Sequence, residues 1–389
     1  MISVGKDDFS PTSLNEHNNG PFIDDIIFEI LHFLDSLFII HICMKISKQW
    51  RRISFQIPLS LSFPQNHFKQ DVKSIKLLTD RECLKNLTCL DLYYNGIGSE
   101  GVKFVAMSEC LKNLTSLNLG LNQIGSEGVK YIANSEWLKN LTSLHLNGNR
   151  IGNEGAKHIA TSEYLNLISL SLRSNQIDSE GAKYIGASES LKNLTSLDLY
   201  YNGIGSEGVK YIATSEYLNL TSLSLRSNRI GSEGAKYIAT SESLKNLTFL
   251  NLERNGISNE GVKYIGASES LKKLTFLNLG RNGISNEGVK YIAMSACLKN
   301  LTLLNLVGNE IGSGGAKYIA NSECLKNLIS LDLSNNDIDN EGVKYIAASE
   351  CLKNLTSLDL YYNRILREEV KYFATSEWWK KMAIGVEEE

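Results

Sequence analysis

The sequence predicts an α/β solenoid, in which one strand–helix unit repeats eleven times behind a small helical domain. Three observations predict it. An asparagine recurs every 26 or 27 residues from Asn95 to Asn363. Apolar residues before each asparagine alternate with polar ones, as in a half-buried strand. Apolar residues after it recur at three- and four-residue spacing, as on one face of a helix. Repetition at such a period is typical of stacked supersecondary units.

Each unit is predicted to bury one side of a strand and one side of a helix. In the first copy Leu90 and Leu92 alternate with polar neighbours just before Asn95. Val102 and Val105 then share a helix face. Neither element could bury its apolar side alone, so we expect the copies to stack into one continuous core.

The stacking geometry predicts a curved array. Parallel strands lie about 4.8 Å apart, whereas packed helices lie roughly 8–10 Å apart. The array is therefore predicted to be a horseshoe, with a parallel sheet on the concave side and helices on the convex side. Each helix is expected to begin with Ser99 or its equivalent as N-cap. The repeated asparagine is expected to be buried, donating to and accepting from backbone groups of the turn.

Proline positions and composition predict the domain boundaries. All four prolines precede the array, and the C-terminal cap is expected to include Trp378 and Trp379. The predicted segments are a disordered N-terminus (1–20), a helical segment (21–54), a linker (55–70), an N-terminal cap helix (71–83) and the array with its C-terminal cap (84–389).

The repeated pattern resembles a leucine-rich repeat. Leu87, Leu90, Leu92 and Asn95 fit its leucine and asparagine positions. The strand–helix unit, with its NxIGxEGxxxIA stretch, is similar to the ribonuclease-inhibitor type. This resemblance runs from Leu84 to Ala374, about three quarters of the chain. It implies a protein-binding horseshoe.

The segment before the array resembles an F-box. Its apolar residues have helical spacing, and the run ISKQWR is similar to the end of that motif. The resemblance implies docking on the adaptor subunit of a cullin-RING ubiquitin ligase. The residues expected to bind that subunit are Phe22, Ile26, Ile30, Leu31 and Trp50. The alternative is a helical cap that shields the end of the solenoid.

Motifs that could indicate a nucleotide, metal or catalytic site are better explained as parts of the repeated unit. The GIGSEG turns at 96–101 and 203–208 fit a dinucleotide-binding pattern, but equivalent turns read QIDSEG and GISNEG. We therefore expect no nucleotide cofactor there. Cysteines recur at one repeat position without histidine or acid at ligand spacing, so we expect no metal. The array holds only His145 and His158, without a recognisable nucleophile, so we expect no catalytic residues and no enzyme.

Charge and composition exclude further classes of partner. The formal net charge is −3, which gives no general affinity for nucleic acid. The longest apolar stretch, residues 23–44, carries too many ionisable groups for a membrane span. The odd number of cysteines and the absence of a signal peptide predict a cytoplasmic or nuclear chain. We expect a monomer.

Variation among the copies predicts the binding surface. The two positions before each asparagine change freely, whereas the helix segment barely changes. Tyrosines and aspartates lie at both ends of the predicted concave face and arginines in its middle, so we expect an acidic or phosphorylated protein client there. The predicted contact residues are Asp91, Tyr93, Tyr94, Arg150, Arg173, Tyr200, Tyr201, Arg226, Arg229, Arg254, Arg281, Asp359, Tyr361 and Tyr362.

These features leave three functions open. The first is a substrate receptor of an F-box-type ubiquitin ligase. The second is a GTPase activator resembling the Ran type, although its long acidic tail is here only Glu387–Glu389 and the helical head is not expected there. The third is a plain scaffold or inhibitor that binds one protein.

Overall fold

The chain divides into two compact units between Leu61 and Ser62. The computed structural model describes residues 24–32, 34–36, 39–68, 71–366 and 383–385. The segment predicted to be disordered, residues 1–20, lies outside them, as do Trp378 and Trp379 of the predicted C-terminal cap.

The first unit is a small helical head. Its elements are α1 (Asp24–His32), a π-helical turn (Ile39–Cys43), α2 (Met44–Ile46) and α3 (Lys48–Ser54). Ile27 and Leu31, one helical turn apart on α1, are fully buried. Asp24 accepts a hydrogen bond of 2.8 Å from Gln49 and forms an ion pair with Arg52. These contacts hold the pKa of the Asp24 carboxyl below its usual value and join α1 to α3.

The second unit is the repeat array. A strand, β1 (Leu59–Ser62), crosses the boundary between the units. The array's strands are β2 (Leu87–Asp91), β3 (Ser116–Asn118), β4 (Ser143–His145), β5 (Ser169–Ser171), β6 (Ser196–Asp198), β7 (Ser222–Ser224), β8 (Phe249–Asn251), β9 (Phe276–Asn278), β10 (Leu303–Asn305), β11 (Ser330–Asp332), β12 (Ser357–Asp359) and β13 (Ala383–Gly385).

A helix follows each strand from β2 to β11, and we number these pairs repeats 1 to 10, with β12 opening repeat 11. The array's helices are α4 (Val72–Thr79), α5 (Gly98–Met107), α6 (Gly125–Ala133), α7 (Gly152–Ala160), α8 (Ser179–Gly186), α9 (Gly205–Ala213), α10 (Gly231–Ala239), α11 (Ser258–Gly266), α12 (Asn286–Ala293), α13 (Ser313–Ala320) and α14 (Asn340–Ala347). Helix α4 precedes repeat 1, and its N-cap Asp71 accepts from the N–H of Lys73 at 3.0 Å.

Strands β2 to β13 pair in parallel, in chain order. Equivalent residues pair from one repeat to the next, so that Leu90 lies opposite Leu117, and Leu117 opposite Leu144. These leucines are fully buried, as are the helix residues Val102 and Val105. The predicted α/β solenoid, with a parallel sheet on its concave side and helices on its convex side, is confirmed.

A glycine allows each helix to lie close to the turn before it. A Cβ added at Gly101 would lie 2.7 Å from the Cβ of Ile97, closer than such atoms approach. The third glycine of the GIGSEG turn is therefore needed for packing within the repeat.

The repeated asparagines form a buried hydrogen-bonded ladder, as predicted. Asn122 is fully buried. Its Oδ1 accepts from the N–H groups of Asn95 at 3.0 Å and Ile97 at 3.3 Å. Its Nδ2 donates to the carbonyls of Leu92, Leu119 and Gly120 at 2.8–3.1 Å. Each such side chain joins its own turn to the preceding repeat, because the non-helical turn leaves these groups without other partners.

A second ladder, of serines, joins the ends of the helices. The hydroxyl of Ser162 donates to the carbonyl of Ala133, at the end of α6, at 2.6 Å. Ser188 and Ser322 make the same bond to Ala160 and Ala293. A helix leaves its last carbonyls unpaired, and these buried serines satisfy one of them in each of these neighbouring repeats. The sequence interpretation missed this role, although serine recurs there in every repeat.

The predicted helix N-cap is wrong, because the N-cap of α5 is Ile97, two residues before Ser99. Helix α5 begins at Gly98, so Ser99 lies in its first turn. Gly98 has a φ of +61°, which glycine adopts without strain. Where a side chain caps a helix, it occupies the position of Gly98, as Asp178 and Ser285 do.

The predicted linker contains ordered structure. Residues 59–62 form β1. The N–H of Phe63 donates to the carbonyl of Asp91 at 3.1 Å, and that of Asn66 to Tyr94 at 2.8 Å. The first strand of a parallel stack exposes unpaired carbonyls at its edge, and residues 63–66 satisfy two of them. Residues 63–66 therefore cover the edge of repeat 1.

Candidate functional site

The sheet face, formed by strand side chains that point away from the helices, carries the sequence-predicted contact residues. One row on it, the strand-end row, holds aspartate, asparagine, histidine or serine. Its members are Asp91, Asn118, His145, Ser171, Asp198, Ser224, Asn251, Asn278, Asn305, Asp332 and Asp359. The carboxylates of Asp91, Asp198 and Asp359 each accept the N–H two residues later at 2.8–3.0 Å. These three acids therefore also shape the turn.

A second row, the turn row, stands immediately before the repeated asparagines. Its members are Tyr94, Leu121, Gly148, Ser174, Tyr201, Ser227, Arg254, Arg281, Gly308, Asn335 and Tyr362. Each has a φ between +52° and +65°. This left-handed conformation costs an L-residue about 1–2 kcal/mol, and glycine avoids that cost.

Large side chains nevertheless occupy six positions of the turn row. Tyr201 and Tyr362 are 65% and 68% exposed, and Arg254 and Arg281 are also exposed. They gain little from burial, so packing does not explain why these positions lack glycine. Backbone strain combined with exposed aromatic or cationic side chains is typical of binding surfaces.

Several of the arginines predicted for the middle of the sheet face pair with acids of the same chain. Arg173 forms an ion pair with Asp198. Arg226 pairs with the carboxylate of Glu253 at 3.1 Å, and Arg254 lies 3.8 Å from it. The side chain of Glu253 is only 8% exposed. Because Asp198 and Glu253 pair with these three arginines, part of the predicted positive charge is neutralised within the fold.

Aromatic contacts extend this network. The guanidinium of Arg226 lies 5.0 Å from the ring centroid of Tyr200. The rings of Tyr93 and Tyr94 lie 6.4 Å apart, as do those of Tyr361 and Tyr362. The structure therefore groups each predicted tyrosine pair at one position of the face, in repeats 1, 5 and 11.

Three of the predicted arginines keep their charge free. Arg150, Arg229 and Arg281 are exposed, and none of them pairs with a carboxylate in the described part of the chain. Arg150 and Arg229 follow the repeated asparagine, whereas Arg281 belongs to the turn row. Within the turn row, Arg281 is therefore the arginine that has no carboxylate partner among the described residues.

The helix face, formed by the exposed sides of the helices, satisfies its own charges. Lys157 lies 3.7 Å from Glu154 on its own helix and 5.5 Å from the ring centroid of Tyr184 in the next repeat. Lys210 and Tyr237 repeat that ring contact at 5.9 Å. Such exposed pairs contribute only a few tenths of a kcal/mol each. This face has the character of a solvated surface.

The described cysteines and histidines of the array form neither a reactive-thiol site nor a metal-binding cluster. Burial raises the pKa of the Cys83 and Cys297 thiols and therefore disfavours the reactive thiolate. Burial likewise lowers the pKa of His145. Among the described residues, no three histidine, cysteine or acidic side chains are placed to hold a metal ion.

The head residues that were predicted to bind the ligase adaptor differ in their burial. Ile26 and Ile30, one turn apart on α1, are 47% and 39% exposed. Leu31 is fully buried, because it belongs to the opposite, core-facing side of α1. Trp50 is half-buried, and its backbone N–H donates to the hydroxyl of Ser47, the N-cap of α3. Leu31 therefore supports the head from inside, and Phe22 lies outside the described residues.

A feature that sequence reasoning missed is an apolar stretch at the beginning of β8, β9 and β10. The stretch comprises Phe249, Phe276 and Leu303, which are half-buried on the sheet face. The two phenyl rings stack with centroids 4.1 Å apart and planes inclined by 15°. The available signal was the exchange of serine for three consecutive large apolar residues at one repeat position.

Comparisons with known proteins agree with this architecture. A family model described as Leucine Rich repeat matches ten segments that together make up more than half of the chain. The segments are 83–106, 110–133, 138–160, 165–186, 190–213, 218–239, 243–266, 270–293, 297–320 and 324–347. No curated protein sequence shows significant similarity to the chain.

Solved structures that share the fold include the following two. An internalin, InlF, from Listeria monocytogenes is 21% identical, with a TM-score of 0.54, and the match covers 91% of this chain and 94% of that one. A chain of the yeast Rad7–Elc1 complex is 16% identical, with a TM-score of 0.51 and coverages of 93% and 92%. In the part of the chain that the structure describes, every helix is too short or too polar to cross a membrane.

Proposed function

Because the chain belongs to the leucine-rich-repeat family, we propose that it is a protein-interaction receptor of a cullin-RING ubiquitin ligase, which holds a client on its sheet face and docks on the ligase adaptor through its head. The observation that carries the proposal is the contrast between the two faces of the array. The helix face satisfies its own charges, whereas the turn row presents large exposed side chains in a strained backbone. Such a chain acts by binding and carries no bond chemistry of its own.

The exposed tyrosines support a protein client. Tyr94, Tyr201 and Tyr362 stand at repeats 1, 5 and 11, so they span almost the whole sheet face. Tyrosine supplies a large contact area at a low cost in side-chain entropy. A folded client, or a long segment of one, could contact all three.

The apolar side of α1 supports the docking role of the head. Ile26 and Ile30 point to solvent, although the core of the head already contains Ile27 and Leu31 from the same helix. An exposed isoleucine pair at helical spacing is typical of a helix that packs on a partner. The chain of similar fold from the Rad7–Elc1 complex adds an example of such an array in a complex. A receptor of this kind works in the cytoplasm or nucleus.

Changing both exposed isoleucines to aspartate tests the docking role. The variant Ile26→Asp/Ile30→Asp should weaken binding to the purified adaptor subunit at least tenfold, because two charges would have to be desolvated at the interface. Isothermal titration calorimetry measures the affinity. Circular dichroism should show unchanged helix content, since both side chains are exposed.

The matched control is Leu77→Asp, which also places a charge on an exposed apolar side chain, in α4 of the second unit. It should leave adaptor binding unchanged. If the isoleucine variant binds the adaptor as well as the unaltered chain does, the head has no docking role, and the protein is a plain scaffold.

A further inference from the structure

The apolar stretch interrupts an otherwise polar row of the sheet face. At the first strand position, aligned by the parallel register, seven repeats have serine and one has Cys89. Repeats 7, 8 and 9 have Phe249, Phe276 and Leu303. The serines show that the fold has no need for a large apolar residue here. The three side chains point away from the core and remain half-buried, so part of each is still accessible to solvent.

Val307 adds an apolar side chain at the turn of repeat 9, separated from Leu303 on the same side of the chain by Asn305. It lies over Gly280 of repeat 8, where an added Cβ would come within 2.7 Å of the valine Cγ1. We call Phe249, Phe276, Leu303 and Val307 the apolar patch. It covers three neighbouring strands, a width of about 10 Å at the spacing of a parallel sheet.

Arg281 and the carboxylate of Asp332, which lies opposite Asn305 on the next strand, are both close to the apolar patch. Arg281 belongs to repeat 8 and follows Phe276 in the chain. Among the described residues, it pairs with no carboxylate. Its side chain lies over Gly308, where an added Cβ would be 2.8 Å from the arginine Cγ. Of the nearby acids, Glu253 is buried and pairs with Arg226 and Arg254. Asp332 accepts hydrogen bonds from Asn305 and Ser334. Arg281 is therefore available for an external anion.

We propose that the apolar patch and Arg281 bind an extended acidic segment of a client protein. Side chains on one side of an extended chain lie about 6.6–6.8 Å apart, so two of them fit on a patch about 10 Å wide. A carboxylate near this pair forms a charge-assisted, bidentate bond with the guanidinium of Arg281. Aromatic and arginine side chains together are typical of the residues that dominate binding energy.

This inference rests on the proposed function only in assigning the client to the sheet face. It moves the expected contact away from Arg226, whose charge is used internally, to repeats 7–9. The head takes no part in it, so peptide binding and adaptor binding can succeed or fail separately.

The test is selection of a phage-displayed random dodecapeptide library on the immobilised full-length chain. We expect enriched peptides with two large apolar residues spaced i, i+2 and an acid nearby. Fluorescence anisotropy with the enriched synthetic peptides should show at least tenfold weaker binding to Phe249→Ser/Phe276→Ser and to Arg281→Ser. Each variant introduces a residue that other repeats already have at that position, so thermal unfolding should change little.

The matched control is Arg229→Ser, which removes an equally free arginine outside the apolar patch and should leave peptide binding unchanged. The proposal is overturned if no peptide is enriched, if the enriched peptides lack acids, or if they bind the Phe249→Ser/Phe276→Ser variant equally well. It is also overturned if light scattering shows dimers that Phe276→Ser abolishes, because a second copy of the chain would then occupy the patch.

Discussion

Replacing Asn122 with alanine should lower the free energy of unfolding of the array by about 3–5 kcal/mol. The side chain makes five hydrogen bonds to the backbone of two repeats and has no access to solvent. Each buried group left without a partner costs about 1–3 kcal/mol. Urea denaturation followed by circular dichroism measures the change.

Asn122→Asp should be more destabilising still at neutral pH. A carboxylate would keep the two accepted bonds but place negative charge against three carbonyl oxygens that now receive N–H groups. The control is Asn134→Ala in the same repeat, because Asn134 is exposed and Ala187 occupies the equivalent position in repeat 4. Equal stability of Asn122→Ala and Asn134→Ala would disprove the ladder.

Replacing Arg226 with alanine should destabilise the array by about 2–3 kcal/mol. The change removes the guanidinium at 3.1 Å from the buried carboxylate of Glu253. Removing one partner of a fully buried ion pair typically costs about 3–5 kcal/mol. We expect less here because Arg254 and Asn278 remain near that carboxylate, at 3.8 and 3.4 Å. Urea denaturation again provides the measurement.

A double-mutant cycle separates the ion pair from general packing loss. Arg226→Ala/Glu253→Ala should be more stable than Arg226→Ala alone, since the uncompensated buried charge is gone. Additive losses in the cycle would show that Glu253 needs no partner. A charge reversal at Arg226 is therefore unsuited to mapping a client site, because it would alter the fold as well as the surface.

Most of the fold could be predicted because repetition makes one local pattern visible eleven times. The alternation around Leu90 and the helical spacing of Val102 and Val105 suffice to predict a strand and a helix. Stacking of the repeats is then the arrangement that buries the apolar sides of both the strand and the helix. The asparagine ladder follows from the same reasoning, since a turn in every repeat needs partners for its backbone groups.

The candidate site was less predictable because it depends on contacts between repeats. Arg226 and Glu253 are 27 residues apart, and only the parallel register shows that they meet. The left-handed turn row is a backbone property that Tyr201 or Arg281 does not reveal by residue type. Helical spacing placed Ile30 and Leu31 on one helix, but which side is buried depends on the packing of α3.

The central claim is that the sheet face, and not the helix face, holds the client. The most direct measurement is quantitative mass spectrometry of proteins that co-purify with the tagged chain and with two variants. One variant changes the turn-row residues Tyr94, Tyr201, Arg281 and Tyr362 to serine. Other repeats already have serine in the turn row, at Ser174 and Ser227. The other changes Lys210 and Lys236 on the helix face to serine. We predict that the turn-row variant loses the client but keeps the ligase adaptor, whereas the helix-face variant keeps both. Loss of the client from the helix-face variant alone would contradict the assignment.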